Sequence, residues 1–417
     1  MSVKHFDLII IGAGMAGLAL ANSVRDSAMK VALIEARPLD AIAPKGVGNF
    51  KQLGGQPCDL GDFDPRVSAL TPASIKFFQR LGIWGNIESQ RHCSFVEMQV
   101  WDAQGVGGVR FTAEEMGADS LGCIVENSVT LQALREGIAT ASNLSLFCPN
   151  TLAELESSGE SGPDEPLQLI KLDDGMQLAA PLIVAADGGN SQLRKLANFE
   201  SKAWSYDQSA IVATVQTEKP HDRVALQRFM PGGPLAFLPL AGKAQNLCSI
   251  VWSLDNDLVE EKLVLDEPEF CRVLERAFES RLGRIMASSR RYSFPLRQQH
   301  ATDYVKEGVA LIGDAAHVIH PLAGQGVNLG FADVEVLGEE LLRAFESGET
   351  LAGDLFLQRY QRRRKADNLT MMVAVEGFKR LFGRQELPIV WLRNAGMRQL
   401  NRAAPLKRQI VRHAMGL

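Results

Sequence analysis

The sequence predicts an α/β fold, and three patterns carry this prediction. Apolar runs that end in a glycine-rich turn occur before residues 12, 188 and 313, as in the parallel sheet of a Rossmann-like domain. Short strand patterns follow one another between residues 206 and 300, which indicates an inserted antiparallel sheet. From residue 326 onward the apolar spacing is mostly helical. We therefore expect a Rossmann-like domain, an inserted antiparallel-sheet domain and a helical C-terminal region.

The chain begins with a β-α-β pattern. Residues 6–11 form an apolar run typical of a strand that is buried on both faces. Residues 12–17 read Gly-x-Gly-x-x-Gly and lead into a helix that we expect to end near residue 27. Residues 31–36 predict the second buried strand.

The glycines of this first turn predict a dinucleotide site. Gly12 permits the tight turn, Gly14 lets the backbone approach a pyrophosphate, and Gly17 lets helix and strand pack closely. The helix N-terminus offers free N–H groups to the phosphates. Glu35, at the end of the second strand, can accept hydrogen bonds from both ribose hydroxyls of an adenosine.

The following segments alternate loop, helix and strand. Residues 38–65 are a long Gly/Pro-rich connection, and such loops are usually functional or disordered. Thr71-Pro72 predicts a helix start and Gly82 its end. Residues 95–125 predict mixed strands and residues 128–142 a helix.

A second turn follows the buried strand predicted at residues 182–186. Asp187, followed by Gly188, can orient backbone N–H groups or a bound cofactor. Ser191 can cap the helix that contains Arg194. Arg194 can pair with Asp187 or bind a pyrophosphate through both arms of its guanidinium. A plain strand–helix turn with a surface ion pair is equally consistent with this pattern.

Short strands are then expected at 210–217, 224–229, 236–240 and 247–253. A third turn follows residues 309–312. Gly313 and Asp314 stand at the end of this strand, where a carboxylate suits a sugar-like polyol.

Residues 321–328 form a further glycine-rich turn whose helix N–H groups can face a ring that carries negative charge. Taken alone, this turn is better explained as an ordinary helix start. His317 and His320 lie beside it, and we expect them to bind backbone groups or shape a pocket, with no metal site.

Composition excludes some classes of protein. The 417 residues carry a net charge of −5, so nucleic acid is not an expected partner. The six cysteines show no Cys-x-x-Cys spacing, which fits a reducing cytoplasm. Residues 359–417 hold fourteen Lys or Arg against three Asp or Glu, most densely at 362–365. This run is either a solvated helix face or a contact with an anionic inner-membrane surface or an acidic partner.

At its three turns the chain resembles the FAD-dependent aromatic hydroxylases of the para-hydroxybenzoate hydroxylase fold. Within them it is similar to the ubiquinone-biosynthesis hydroxylases, and most similar to the polyprenylphenol hydroxylases. The finer match lies in residues 66–74, 124–128, 237–240, 249–253, 313–330 and 407–417.

The resemblance implies roles for individual residues. The three glycines of the first turn hold the FAD pyrophosphate and Glu35 the ribose, Arg66 and Asn127 lie along the cofactor, Asp187 serves both FAD and the nicotinamide donor, and Asp314 holds the ribityl chain. Residues bordering the reactive ring, assigned to catalysis, are Pro321, Gly324, Gln325 and Gly326. The combined cofactor-binding set is Gly12, Gly14, Gly17, Glu35, Arg66, Asn127, Asp187, Gly188, Arg194, Gly313, Asp314, Gly326, Val327 and Asn328.

The implied reaction is a monooxygenation with O2 and NAD(P)H as co-substrates, through a flavin C4a-hydroperoxide that attacks a polyprenylated phenol or quinol. The segments around 210–253 favour the earlier phenol. The lipophilic tail needs an apolar pocket, for which the candidates are Phe237, Leu238, Pro239, Leu240, Val251 and Trp252. Two alternatives stay open: another FAD enzyme on this scaffold, such as a prenyl reductase, or a flavin-binding assembly protein of a ubiquinone-pathway complex.

These inferences predict a division into domains. Residues 1–75, 126–205 and 301–350 would form the FAD-binding domain, residues 76–125 and 206–300 the substrate domain, and residues 351–417 the basic helical region.

Overall fold

The nucleotide-binding part is built on a six-stranded sheet. The computed structural model describes residues 3–38, 60–157, 167–306, 308–319, 326–384 and 386–415. Elements are numbered in chain order. The sheet contains β2 (Leu8–Ile11), β3 (Val31–Ile34), β9 (Leu144–Phe147), β13 (Leu182–Ala185), β20 (Val305–Lys306) and β21 (Val309–Leu311). Its order is β20-β21-β13-β2-β3-β9, with every pairing parallel except that of the edge strand β20. The strands predicted before the three turns are therefore confirmed.

Two smaller sheets flank this one. The first contains β1 (Lys4–His5), β10 (Leu152–Ser157), β11 (Gln168–Leu172) and β12 (Gln177–Ala180). The second contains β4 (Val67–Leu70), β5 (His92–Phe95) and β8 (Gly122–Glu126). Residues 39–59 of the long connection lie outside the described part of the chain.

The large sheet confirms the predicted insertion and corrects one detail. It contains β6 (Glu97–Asp102), β7 (Gly108–Thr112), β14 (Ser201–Thr217), β15 (Val224–Met230), β16 (Gly233–Pro239), β17 (Leu247–Asp255), β18 (Ile285–Ser288), β19 (Tyr292–Ala301) and β22 (His317–Val318). Its pairings are antiparallel except that β6 lies parallel to β15. A strand from residue 97 thus joins strands more than a hundred residues later.

Helices cover the sheets. They are α1 (Met15–Val24), α2 (Pro72–Arg80), α3 (Trp84–Glu88), α4 (Ala113–Met116), α5 (Asn127–Ile138), α6 (Gln192–Leu196), α7 (Asn256–Leu263), α8 (Glu267–Ala277), α9 (Gly326–Glu346), α10 (Asp354–Gly383), α11 (Leu387–Arg402) and α12 (Ala404–Ala414). Thr71 caps α2 through its side chain, as predicted. The sequence interpretation missed α7 and α8.

The core divides along the sheets. One apolar cluster surrounds the parallel sheet together with α1, α9 and the start of α10. A second lies between one face of the large sheet and α8, and a third lies on its opposite face. No helix in the described ranges combines the length and apolarity needed to cross a membrane. The division of the chain into domains stays a prediction.

Candidate functional site

The first glycine turn has the geometry that its sequence predicts. Gly12 has φ +102°, and a side chain there would lie 2.5 Å from the carbonyl oxygen of Ala186. A Cβ on Gly17 would lie 1.9 Å from the carbonyl oxygen of Gly12. A Cβ on Gly14 would meet only open space. The turn is therefore packed on the protein side at Gly12 and Gly17 and open on the ligand side at Gly14.

The open side faces unsatisfied donors. No side chain caps α1 at Gly14, so the first-turn N–H groups keep their capacity for an outside acceptor. Glu35 is buried, and its carboxylate accepts from the N–H of Ala13 at 2.8 Å and from that of Arg37 at 3.0 Å. These bonds fix the carboxylate beside the turn, where contact with a ribose stays a prediction.

The second turn lies against the first, because a Cβ added at Gly12 would strike backbone atoms of Ala186 and Asp187. Asp187 accepts through Oδ2 from the N–H groups of Gln192 (2.7 Å) and Leu193 (3.2 Å). Its Oδ1 is buried and lacks a hydrogen-bond partner among the described residues. A buried carboxylate oxygen of this kind calls for a donor from outside the chain. Asp187 thus orients backbone N–H groups, one of the two predicted roles, and keeps one atom for a ligand.

Arg194 corrects the sequence interpretation. Ser191 caps α6 as predicted, but the Arg194 guanidinium does not pair with Asp187. It donates instead to the carbonyls of Ala315 (2.8 Å) and Gly189 (2.7 Å). Burial lowers the pKa of Arg194, partly opposed by the Asp187 charge. Because the side chain points inward, it binds the second turn to the third, and a contact with pyrophosphate stays a prediction.

The third turn also lies close to the first. Gly313, with φ +56°, lies against Ala16 of α1 and Gly330 of α9. Asp314 is exposed while its neighbours in the turn are buried. Desolvation of the Asp314 carboxyl by the surrounding protein raises its pKa, and His317 and Arg66 offset part of this increase. Asp314 is therefore open to solvent in a turn that lies beside α1.

The remaining predicted cofactor residues lie where β4 meets α9. Asn328 accepts from the Thr71 N–H (3.0 Å) and donates to the Ala69 carbonyl (2.8 Å), which ties the start of α9 to the end of β4. Asn127 accepts from the Ser68 hydroxyl at 2.6 Å.

Arg66 is exposed and its guanidinium lies 5.5 Å from the ring centre of Phe294. Gly326 and Val327 begin α9. His320, Pro321, Gly324 and Gln325 lie outside the residues that the structure describes.

These features fit an extended dinucleotide with its flavin. The open space at Gly14 and the uncapped end of α1 belong to the first turn, the unpartnered Oδ1 of Asp187 belongs to the second turn, and the exposed Asp314 belongs to the third. The free N–H groups at the N-terminus of a helix suit a pyrophosphate, and carboxylates suit ribose and ribityl hydroxyls.

The sequence did not predict a buried ionic network beneath the third turn. Asp333 of α9 is fully buried and accepts from the Gly313 N–H (3.1 Å). It also binds His317 Nε2 (2.5 Å), Arg364 Nε (2.9 Å) and Asn368 Nδ2 (3.0 Å). His317 thus binds a carboxylate and not the expected backbone group. The available signal was an acid among the apolar positions of α9, such as Phe331 and Val334.

The basic run at 362–365 is largely committed to such pairs. Arg364 binds Asp333, Arg363 binds Glu339 at 2.9 Å, and Lys365 binds Asp303 at 3.1 Å. Three of the four charges of the run are therefore paired within the chain, and a membrane contact, one of the two alternatives for residues 359–417, stays untested.

An apolar cavity of about 320 Å³ lies on the face of the large sheet opposite α8. Of the predicted pocket residues only Leu238 lines it. Phe237 stacks on Phe278, with ring centres 3.8 Å apart, and Trp252 lies in the same core. Side chains alternate along a strand, so Phe237 and Pro239 point away from Leu238. Leu240 and Val251 pack on the same face as Leu238 without lining the cavity.

The C-terminal helices supply much of the cavity wall, which the sequence interpretation missed. Their lining residues are Met371, Ala374, Val375, Phe378, Phe382, Met397, Leu400, Ile410 and Met415. The signal was the spacing 371, 375, 378 and 382, which places four apolar residues on one face of α10. Residues 69–71 also line the cavity, and Asn328 is hydrogen bonded to Ala69 and Thr71. The cavity thus lies next to one of the predicted cofactor residues.

Comparison with known proteins identifies the family of the chain. The family model described as FAD binding domain matches residues 63–373. The chain is 35% identical over 418 residues to 3-demethoxyubiquinol 3-hydroxylase of Escherichia coli, with 100% of both chains covered. It is 34% identical to ubiquinone biosynthesis monooxygenase COQ6 of Xenopus tropicalis, over 98% of this chain and 93% of the relative.

Solved structures show the same fold. p-Nitrophenol 4-monooxygenase PnpA of Pseudomonas putida superposes with a TM-score of 0.76 at 17% identity, covering 98% of this chain and 97% of that one. PqsL of Pseudomonas aeruginosa, a probable FAD-dependent monooxygenase, gives a TM-score of 0.76 at 20% identity, covering 95% and 100%. With the family match and the relatives above, the chain belongs to the FAD-dependent monooxygenases of the family that contains the ubiquinone-biosynthesis hydroxylases.

Proposed function

We propose that the protein hydroxylates the ring of a polyprenylated phenol or quinol on the route to ubiquinone. The names of its relatives support this reaction, and one of them names a quinol as substrate. The observation that carries the proposal is the apolar cavity, which extends from residues 69–71 to the C-terminal helices. A ring with a long hydrocarbon tail fits such a site, because few other metabolites would benefit from so apolar a wall.

Bound FAD, with NAD(P)H and O2, supplies the reductive activation of oxygen. The chain contributes position and exclusion of water. Gly14 and the free Asp187 oxygen would border the bound dinucleotide, and Asp314 would border its ribityl chain. The apolar wall of the cavity would keep water from the reacting ring, which such chemistry requires.

Two polar residues interrupt the apolar lining of the cavity, Thr71 and Gln227. Gln227 is 4% exposed, and its side chain makes no hydrogen bond with the described residues. An amide in this position can bind the oxygen substituent of a phenol or quinol ring. We expect Gln227→Leu to lower kcat/KM by up to about tenfold, the range of one neutral hydrogen bond.

The direct test uses purified protein reconstituted with FAD. We expect NAD(P)H oxidation that depends on a polyprenylated phenol or quinol and a product that gains one oxygen atom by mass spectrometry. The preference for the earlier phenol predicts a higher kcat/KM on the phenol than on the quinol. FAD binding without an oxygenated product from either substrate would contradict the proposal and favour an assembly role.

The cavity itself can be tested by narrowing it. Val375 is 8% exposed and lines the cavity, whereas Val264 is 82% exposed at the end of α7. We expect Val375→Trp to abolish turnover of a long-tailed substrate while FAD content stays at the wild-type level. The same change at Val264 is the control and should leave turnover intact. Equal activity of the two variants would show that the tail binds elsewhere.

We also propose that the protein works at a membrane surface, because its substrate class is lipid soluble. Membership of a multi-protein complex of the pathway is a further prediction, which copurification of pathway proteins with the tagged chain would test.

A further inference from the structure

The exposed face of α11 is apolar although nothing in the described chain covers it. Leu387, Trp391 and Leu392, which we call the α11 patch, are 83%, 66% and 62% exposed. The opposite face of the helix is fixed to the protein by Arg393 and Asn394, both of which bind Asp102. α11 is therefore held rigidly with three large apolar side chains in solvent, which marks an interaction site.

Unpaired positive charge accompanies the patch. Residues 384–415 contain seven Lys or Arg and one Glu. Arg398 and Arg402 follow Trp391 by seven and eleven residues, which places them on its side of α11, and they form no ion pair with any described residue. This differs from residues 362–365, whose charges are mostly paired. Tryptophan and leucine beside free arginines match an anionic phospholipid surface, where the apolar groups enter the headgroup region and the guanidinium groups bind phosphate.

Exposed residues of the neighbouring helices α10 and α12 line the apolar cavity. Phe378 of α10 and Ile410 of α12 line the cavity and are 48% and 39% exposed. Leu381, three residues after Phe378 on the same face of α10, is also exposed. The Arg393 guanidinium donates to the carbonyls of Leu381 and Phe382, which holds the start of α11 beside the end of α10.

We propose that the α11 patch, with Arg398 and Arg402, docks on an anionic phospholipid membrane, and that the polyprenyl tail passes from the membrane into the cavity between Phe378 and Ile410. This inference rests on the proposed function for the identity of the tail. The docking itself does not depend on catalysis and can be measured alone.

Docking is tested by flotation of the FAD-loaded protein with vesicles of phosphatidylcholine, with and without phosphatidylglycerol. We expect binding to the anionic vesicles that weakens with salt. Trp391→Ser with Leu392→Ser should lower the partition coefficient by about tenfold or more, and Arg398→Glu with Arg402→Glu by at least about tenfold.

Matched controls change exposed residues elsewhere. Val264→Ser with Met286→Ser removes two exposed apolar groups, and Arg272→Glu with Arg276→Glu reverses two charges of α8. Both controls should float like the wild type. Unchanged flotation of the α11 variants, or equal binding to neutral and anionic vesicles, would overturn the proposal. FAD content and circular dichroism confirm that each variant is folded.

The delivery route has its own readout. For a long-tailed substrate presented in vesicles, the α11 variants should raise KM at least about fivefold, since fewer enzymes are docked. For a short-tailed, water-soluble analogue they should keep wild-type kcat and KM. Unaltered KM in vesicles would overturn the delivery route. Failure of the wild-type enzyme on both substrates would instead contradict the proposed function, while flotation would still decide the docking.

Discussion

Replacing Asp333 by Asn tests the network beneath the third turn. The carboxylate is fully buried and accepts four hydrogen bonds, from Gly313, His317, Arg364 and Asn368. Burial raises the pKa of Asp333, but His317 and Arg364 outweigh it and leave the pKa below its ordinary value. The group is therefore charged at neutral pH, and the substitution removes a real charge from the interior.

The loss of stability expected for Asp333→Asn depends on the partners that Arg364 keeps. Arg364 is 6% exposed and would keep only Asn368 and the exposed Asp367, the latter at 3.1 Å. Breaking a buried ion pair by removing one partner costs about 3–5 kcal/mol. We expect the lower end, about 3 kcal/mol, because Asp367 compensates part of the charge.

Urea denaturation of the FAD-free protein measures this cost. The control is Glu339→Gln, which breaks the exposed pair with Arg363 and should cost less than about 1 kcal/mol. Replacing both charges, Asp333→Leu with Arg364→Met, should recover much of the loss, since no unpaired ion is left. Asp333→Asn should also weaken FAD binding, because the Gly313 N–H loses its acceptor. Equal urea midpoints for Asp333→Asn and Glu339→Gln would refute the reasoning.

Three further predictions follow from single contacts. Gly17→Ala should destabilise the apoprotein, because the new Cβ meets the Gly12 carbonyl oxygen at 1.9 Å. Gly14→Ala should fold normally and bind FAD more weakly, since its Cβ meets only open space. Equal urea midpoints for the two variants would contradict this. Burial and nearby cations lower the pKa of His300 to about 4 from about 6.5, so the folded protein keeps it neutral. The contribution of neutral His300 to stability is then fully present above about pH 6.5 and falls by up to about 3 kcal/mol as the pH drops toward 4. The difference in urea midpoint between wild type and His300→Gln should shrink over that range. A difference that does not change with pH would disprove this. Arg194→Lys should lower FAD affinity, measured by flavin fluorescence, since an ammonium cannot reach both carbonyls that the guanidinium bridges; wild-type affinity would exclude that role.

The parts of the fold that the sequence predicted depend on local geometry. Strands β2, β3 and β13 are continuous apolar runs, and the turns after β2 and β13 contain the glycines that their backbone requires at φ +102° and +83°. Helix α8 was missed although Asp266 caps it and Phe270 and Leu274 are buried at a helical spacing. The helix has only 11 residues, and the short strands predicted on its N-terminal side led us to interpret all of residues 206–300 as sheet.

The parts that were missed depend on pairing between distant segments. Alternation predicts that Phe237 and Leu238 point to opposite faces of β16, but not which face meets α8 and which meets the cavity. The basic run gave no sign that Arg364 would meet Asp333, 31 residues earlier. Such contacts are decided by how α9 and α10 pack, which no local pattern encodes.

Helix α10 connects the two halves of the site. Its residues Arg364 and Asn368 bind Asp333 under the third turn, and its residues Val375 and Phe378 line the cavity. Fourteen residues of helix separate Arg364 from Phe378, a distance of about 21 Å. Because one rigid helix sets this distance, the third turn and the cavity wall cannot shift independently. Loosening the network at Asp333 should therefore also raise KM for a long-tailed substrate more than for a short-tailed one, although Asp333 touches neither.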